Sequence, residues 1–287
     1  MKSILLCTDG SDFAENIYRY GAWFAKKLDS KLNVLSVTDI RSQQVVSTNN
    51  FSGTLNLGTS QKLLEKLVEI EHQKAHLNHE KSKLILQAAA NFLHQEDITN
   101  ISLINKTGFL VDVLHEFETE NDLIILGKRG DNAQFASNHL GANVERILRS
   151  SHKPCCVIPR EFKPVESLLL AYDGGASCQK LISFMASFPI FQDLELHLIT
   201  VAQNNHDQNA KASFAEGKEL ATKAGFNPIA VLKEGHPEDA IAQYIAEHDI
   251  SMLLMGAYGH SRIRQLVIGS VTAQILRATD IATFVFR

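Results

Sequence analysis

Short apolar runs alternate with stretches of helical period along almost the whole chain. Ile4-Leu5-Leu6-Cys7, Leu123-Ile124-Ile125-Leu126, Leu168-Leu169-Leu170 and Met252-Leu253-Leu254-Met255 are apolar without interruption. Runs of that kind suit strands covered on both faces, whereas a strand with one wet face alternates. Between them apolar residues recur every three or four positions, as in amphipathic helices. The alternation predicts βαβ units and a parallel sheet.

The pattern occurs twice. Ser3–Gly10 matches Ser167–Gly174, Leu32–Val37 matches Leu196–Val201, Asp122–Gly127 matches Ser251–Gly256, and Cys155–Ile158 matches Thr283–Phe286. Such self-similarity predicts two tandem doubly wound five-stranded α/β domains, residues 1–160 and 165–287. They join at Pro159-Arg160-Glu161-Phe162-Lys163-Pro164, polar and twice interrupted by proline. Strands of the second copy are predicted near 167–172, 195–201, 228–233, 251–256 and 282–286. The first copy is longer, with an insertion at about 40–95. Arg41 to Gln61, rich in Ser, Thr, Asn and Gly, predicts a loop. Leu63 to Leu93, with Leu63, Leu64, Leu67 and Ile70 at helical steps, predicts a long amphipathic helix.

With 287 residues, 45% of them hydrophobic, the chain has material for sizeable cores. A net charge of −4 gives no long-range attraction to nucleic acid or to an anionic membrane, so nucleic acid is not expected as a partner. The N-terminal apolar run is too short for a signal peptide, and no later stretch is long enough for a membrane span. Cys7, Cys155, Cys156 and Cys178 show no paired spacing. They read as free thiols packed in apolar strands of a cytoplasmic protein.

An open parallel sheet of this kind takes ligands outside the carboxyl ends of its strands, where the winding reverses between the first and fourth strands. In the second copy strand one ends in Tyr172-Asp173-Gly174-Gly175 and strand four in Gly256-Ala257-Tyr258-Gly259. Nine residues later Gly269-Ser270-Val271-Thr272 opens a helix. Gly256 and Gly259 allow backbone to lie close to a ligand. Ser270 and Thr272 fall in a first helical turn, whose free N–H groups and dipole suit an anion, with phosphate the natural occupant.

The spacing Gly256-x2-Gly259-x9-Gly269-Ser270, together with the Asp173 position and the duplication, resembles the ATP-binding branch of the universal stress proteins. The resemblance implies an adenine nucleotide alpha hydrolase-like fold with strand order 3-2-1-4-5. It also implies that the last strands, Cys155 to Ile158 and Thr283 to Phe286, pair across a twofold to form an internal pseudo-dimer, with a homodimer of whole chains left open. By position it assigns Ala171, Tyr172, Asp173 and Val201 to the base. Met255, Gly256, Tyr258 and Gly259 then fall to ribose and α-phosphate, and Gly269, Ser270, Val271 and Thr272 to the phosphates. The implied cofactor is ATP, ADP or AMP, with Mg as a companion ion. Gly175 and Tyr258 depart from the family's common residues.

The first copy keeps Asp9, Gly127 and Gly130, but its Gly141 is followed by Ala142 where the hydroxyl belongs, and Asp131 adds a negative charge that Lys128 and Arg129 are expected to offset. This site is expected to be degenerate. His72, His76 and His79 share a helical face at a spacing compatible with a metal, but solvated histidines are the simpler expectation. No nucleophile elbow, H-E-x-x-H or Walker loop is present, so dedicated catalysis is not indicated. The reading is an adenine-nucleotide-binding stress or regulatory protein. Its rivals are a slow ATPase or adenylate-forming enzyme, and a module binding a lipid or metal in the first domain.

Overall fold

The structure, a computed structural model, describes residues 1–40, 57–130, 140–257 and 270–287, with the backbone alone for 57–64. The first half runs β1 (Ser3–Thr8), α1 (Ala14–Leu28), β2 (Lys31–Asp39), α2 (Leu57–Gln95), β3 (Ile101–Gly108), α3 (Leu110–Glu118), β4 (Leu123–Gly127), α4 (Ala142–Ser150) and β5 (Cys155–Ile158). The second half runs β6 (Ser167–Ala171), α5 (Ala176–Ala186), α6 (Pro189–Gln192), β7 (Glu195–Ala202), α7 (Gln208–Lys223), β8 (Ile229–Glu234), α8 (Pro237–Glu247), β9 (Met252–Gly256), α9 (Ser270–Ala278) and β10 (Ala282–Phe286).

The ten strands form one sheet in the order β3-β2-β1-β4-β5-β10-β9-β6-β7-β8. Each half is parallel within itself and has the expected order 3-2-1-4-5. At the seam β5 and β10 pair antiparallel, Thr283 opposite Val157 and Val285 opposite Cys155. The pairing joins the halves into an internal pseudo-dimer and covers two strand edges that would otherwise stand open. Apolar runs alternate between two cores, one on each face. Ile4, Leu6, Cys156 and Phe284 face the layer of α1, α2, α5, α6 and α7, while Leu5, Cys7, Cys155 and Val285 face α3, α4, α8 and α9.

Adjacent Cys155 and Cys156 therefore point to opposite faces, as the period of a strand requires. All four cysteines are free and buried. Burial pushes the thiols of Cys7, Cys155 and Cys178 up to about 12. Cys178 differs from expectation in lying on α5 rather than on a strand.

The inserted region also differs from expectation. Helix α2 starts at Leu57, inside the stretch read as loop, and residues 41–56 lie outside the described part. Moreover α2 is the crossover between β2 and β3, the counterpart of α7, so the extra chain lengthens an existing helix. Its inward face is Leu86, Ala89, Ala90 and Leu93, whereas Val68, Ile70, Leu77 and Leu84 are exposed. Of the early apolar positions, Ile70 thus does not mark the packed side, and the side chains of Leu63 and Leu64 lie outside the described part. Among the described residues no helix is long and apolar enough to cross a membrane.

Candidate functional site at the strand tips of the second half

The tip of β6 is shaped by its own sequence. Gly174 has φ 80, a left-handed conformation that glycine adopts without steric cost. The turn lets Asp173 Oδ1 accept the Gly175 N–H at 2.8 Å, after which Gly175 opens α5. The first half repeats the device, with Gly10 at φ 74 and Asp9 Oδ1 accepting from Ser11 N–H at 3.0 Å. Thr200 on β7 donates its hydroxyl to the Tyr172 carbonyl at 2.9 Å, and Ser213 on α7 donates to the Asp173 carbonyl at 3.3 Å. Three elements thus fix one strand tip.

Beside that tip lies a cleft of about 670 Å³, lined among others by Asp173, Thr200, Val201, Gln203, Asp207 and Ser213. A volume of this size is typical for a small-molecule site. Its outer wall is the loop 203–207. Asp207 caps α7 by accepting from Ala210 N–H at 3.0 Å and also holds Gln203 N–H at 3.2 Å. Asn204 accepts the backbone N–H groups of Asp207 and His206, at 3.1 and 2.9 Å. The wall is therefore held by its own hydrogen bonds.

The backbone N–H of Ala210, then that of Gln203, holds the Asp207 carboxyl below its ordinary range. A group depressed in the folded state contributes above its unfolded pKa, and that contribution is lost as pH falls through the folded value. The wall should accordingly stay closed at neutral pH and loosen only on acidification below the ordinary carboxylate range. Asp207→Ala should mimic the acidic state at pH 7, seen as faster amide exchange at Gln203 and Ala210. Unchanged exchange there would count against this role.

The polar groups lining the cleft are two carboxylates, side-chain amides and hydroxyls, with His206 as the only ionisable nitrogen among the described lining residues. That set accepts from and donates to hydroxyl and amino groups. It offers no fixed cation to phosphate. Asp173 and Asp207 already hold backbone amides, which suits binding better than proton transfer.

Of the residues singled out from sequence, Asp173 and Val201 come together in this cleft, and Ala171 lies at the end of β6 behind it. Tyr172 differs: its ring is 2% exposed, set against Gly217, and its hydroxyl donates to Glu216 at 3.0 Å. Burial, then the Glu216 carboxylate, pushes that phenol up. Met255 is buried in the core. Gly256 has a packing reason, since a Cβ there would stand 3.0 Å from Ser177 Cβ and from Cys178 Sγ at the start of α5. Ser270 and Val271 are exposed at the start of α9, while Thr272 is buried and gives its hydroxyl to the Ala257 carbonyl at 3.3 Å. Tyr258, Gly259 and Gly269 lie outside the described residues. Gln203, Asn204, Asp207 and Ser213 were missed in the sequence, although Asp207 before a helical stretch carries a capping signal.

The first half is built differently at the same place. Ile85 of α2 stands against Gly10, where Ser213 stands against Gly174. Helix α2 runs from Leu57 and reaches the strand tip through Ile85, while residues 41–56, which follow β2, lie outside the described part. A Cβ on Gly130 would meet Asp9 Oδ2 at 2.6 Å. The Gly141 N–H, at the start of α4, is spent on the Lys128 carbonyl at 3.1 Å. In the second half the corresponding carbonyl, that of Ala257, accepts the Thr272 hydroxyl at 3.3 Å. Gly127 packs on Phe13, where a Cβ would come within 2.9 Å. The Lys128 ammonium is buried and directed to Thr279 and Asp280 of the other half; Asp131, which Lys128 and Arg129 are expected to offset, lies outside the described residues. His72, His76 and His79 are exposed on α2, and His79 Nδ1 lies 3.3 Å from Asn105 Nδ2. Among the described residues no group of three or more metal-type ligands converges.

The model of the universal stress protein family matches residues 1–159 and again 164–287. A universal stress protein of Synechocystis sp. is 52% identical over 287 residues, covering 100% of both chains. A solved universal stress protein from Archaeoglobus fulgidus superposes with TM-score 0.69 at 18% identity, covering 99% of this chain and 95% of that one. A protein of unknown function from Pseudomonas aeruginosa does so with TM-score 0.64 at 15% identity, covering 99% and 92%. Likeness at those identities speaks for the fold alone, whereas the family match spans both halves. The chain belongs to the universal stress protein family.

Proposed function

We propose that the second half holds an adenine nucleotide. Base and ribose occupy the cleft at the tips of β6 and β7, beside Ala171, Asp173 and Val201, with Tyr172 contributing backbone only. The strand-four tail, Met255 and Gly256 with Tyr258 and Gly259, runs beside the ribose and α-phosphate. Gly269, Ser270, Val271 and Thr272 hold the phosphates, Thr272 through its N–H because its hydroxyl is taken. The observation that carries this reading is the cleft opening beside Asp173 and Val201. Its cation-free lining suits a nucleoside, and the opening turn of α9 offers phosphates what that lining lacks. ATP, with Mg on its phosphates, would use both parts fully, and ADP and AMP would use them in part.

The first half is not a second such site in this reading, because Ala142 stands where Ser270 carries a hydroxyl and Ile85 stands against its strand tip where the second half has Ser213. Bound nucleotide then biases a conformation or a partner surface in a cytoplasmic stress response rather than being turned over.

Calorimetry with ATP and with adenosine tests the placement. Gly269→Val adds a branched side chain just before the opening turn of α9. ATP should bind about tenfold more weakly while adenosine binds as before. Unchanged ATP affinity, or an equal loss for both ligands, would refute the phosphate placement.

A further inference from the structure

Two cations reach across the seam, each to the far end of a helix in the other half. Lys128, which follows β4, is only 5% exposed, and its ammonium donates to the Thr279 carbonyl at 2.6 Å and to Asp280 Oδ1 at 3.1 Å. Thr279 directly follows α9. Arg287, which follows β10, donates from Nη1 to the carbonyls of Arg149 and Ser151 at 2.9 and 3.0 Å, at the end of α4. Helices α4 and α9 also bridge directly, through Arg277 and Glu145 at 2.7 Å.

The position of Lys128 is costly without a purpose. Burial lowers its pKa, and the Asp280 carboxylate pulls it back up. A buried ammonium persists only where acceptors hold it. The end of a helix is such a place, because its last carbonyls lack intrahelical partners and carry the negative pole of the dipole. Arg287 does the same work for α4 from a less buried position. In the second half the residue corresponding to Lys128 is Ala257, which carries no charge.

Helix α9 has nine residues, too few to hold a position unaided. Its own half anchors it through buried Ile275 and Leu276 and through the Thr272 hydroxyl. Among the described residues the other polar side chains that hold it, Lys128 and Glu145, belong to the first half. We propose that Lys128 is a positioning residue for phosphate recognition in the second half: held against the carboxyl end of α9, it fixes where the opening amides of that helix stand. The first half thus supports its neighbour's phosphate site instead of completing its own. This inference rests on the reading that α9 opens onto the phosphates.

The test is calorimetry on full-length wild type, Lys128→Met, Lys128→Arg and Arg277→Ala, each titrated with ATP and with adenosine. Lys128→Met should weaken ATP about fivefold or more with adenosine unchanged. Lys128→Arg should restore ATP, and Arg277→Ala should lower the ratio of ATP to adenosine affinity in the same direction by less. Asp280, the exposed acceptor of Lys128, supplies the substitute: if Lys128→Met does not fold, Asp280→Ala should lower the same ratio, and an unchanged ratio there overturns the inference. An unchanged ratio in either folded variant overturns the inference while leaving nucleotide binding intact. A wild type that binds neither ligand overturns the underlying reading, and this inference falls with it.

Discussion

Phe284→Ala should destabilise the protein by about 3–5 kcal/mol, the usual range when a fully buried aromatic side chain leaves a cavity. Phe284 is 0% exposed on β10, opposite Cys156 of β5. Its ring centroid lies 6.4 Å from Phe24 of the first half, and 5.6 and 6.1 Å from Phe184 and Phe191 of the second. Helices cover both faces of the sheet there, so the surroundings have little freedom to collapse into the void. The loss falls on both halves at once. Trp23, the single tryptophan, lies in the first half with its ring 4.7 Å from that of Phe24. Urea unfolding followed by its fluorescence should therefore shift to a lower midpoint although the substitution is in the other half. A tryptophan midpoint that stays in place would mean the halves unfold independently and the shared core contributes little.

Val201→Trp should weaken nucleotide binding about 100-fold or more, the cost seen when a central contact of a small site is replaced by a clash. Val201 is the partly exposed cleft residue at the end of β7, and it pairs with Lys233 of β8. Tryptophan suits a strand, so the sheet should tolerate it. The indole would occupy the ground assigned to the base, between Asp173 and the wall loop. Adenosine and ATP should lose affinity together, which separates this variant from Gly269→Val. Wild-type affinity for adenosine in a folded Val201→Trp protein would place the base elsewhere.

Much of the fold was legible because it depends on local regularities. Uninterrupted runs such as Leu168-Leu169-Leu170 gave strands buried on both faces, and the repeated Asp-Gly tips gave equivalent turns at Asp9 and Asp173. The antiparallel seam followed from the family resemblance. What escaped the sequence depends on partners distant in the chain. Lys128 reads as a cation near a phosphate position, yet the acceptors that take it, Thr279 and Asp280, belong to the other copy. The glycine at 256 reads as room for a ligand, and only the fold shows that a side chain there would also crowd the start of α5. Tyr172 sits in a strand tip like its neighbours, and only Gly217 on α7 shows why its ring turns inward. The wall loop was overlooked because polar residues without periodicity give no pattern, although Asp207 marks its end as a cap. The start of helix α2 at Leu57 is hidden because the Ser-, Thr-, Asn- and Gly-rich composition of the stretch up to Gln61 reads as loop.

The central claim is that the cleft beside Asp173 and the opening turn of α9 together hold an adenine nucleotide. A crystal structure of the full-length protein with ATP tests it most directly. The expected density places the base against Val201 inside the wall loop, with the phosphates on the N–H groups of Ser270 to Thr272. Nucleotide bound instead beside Asp9 and Gly141, or a cleft left empty at saturating ATP, would contradict it.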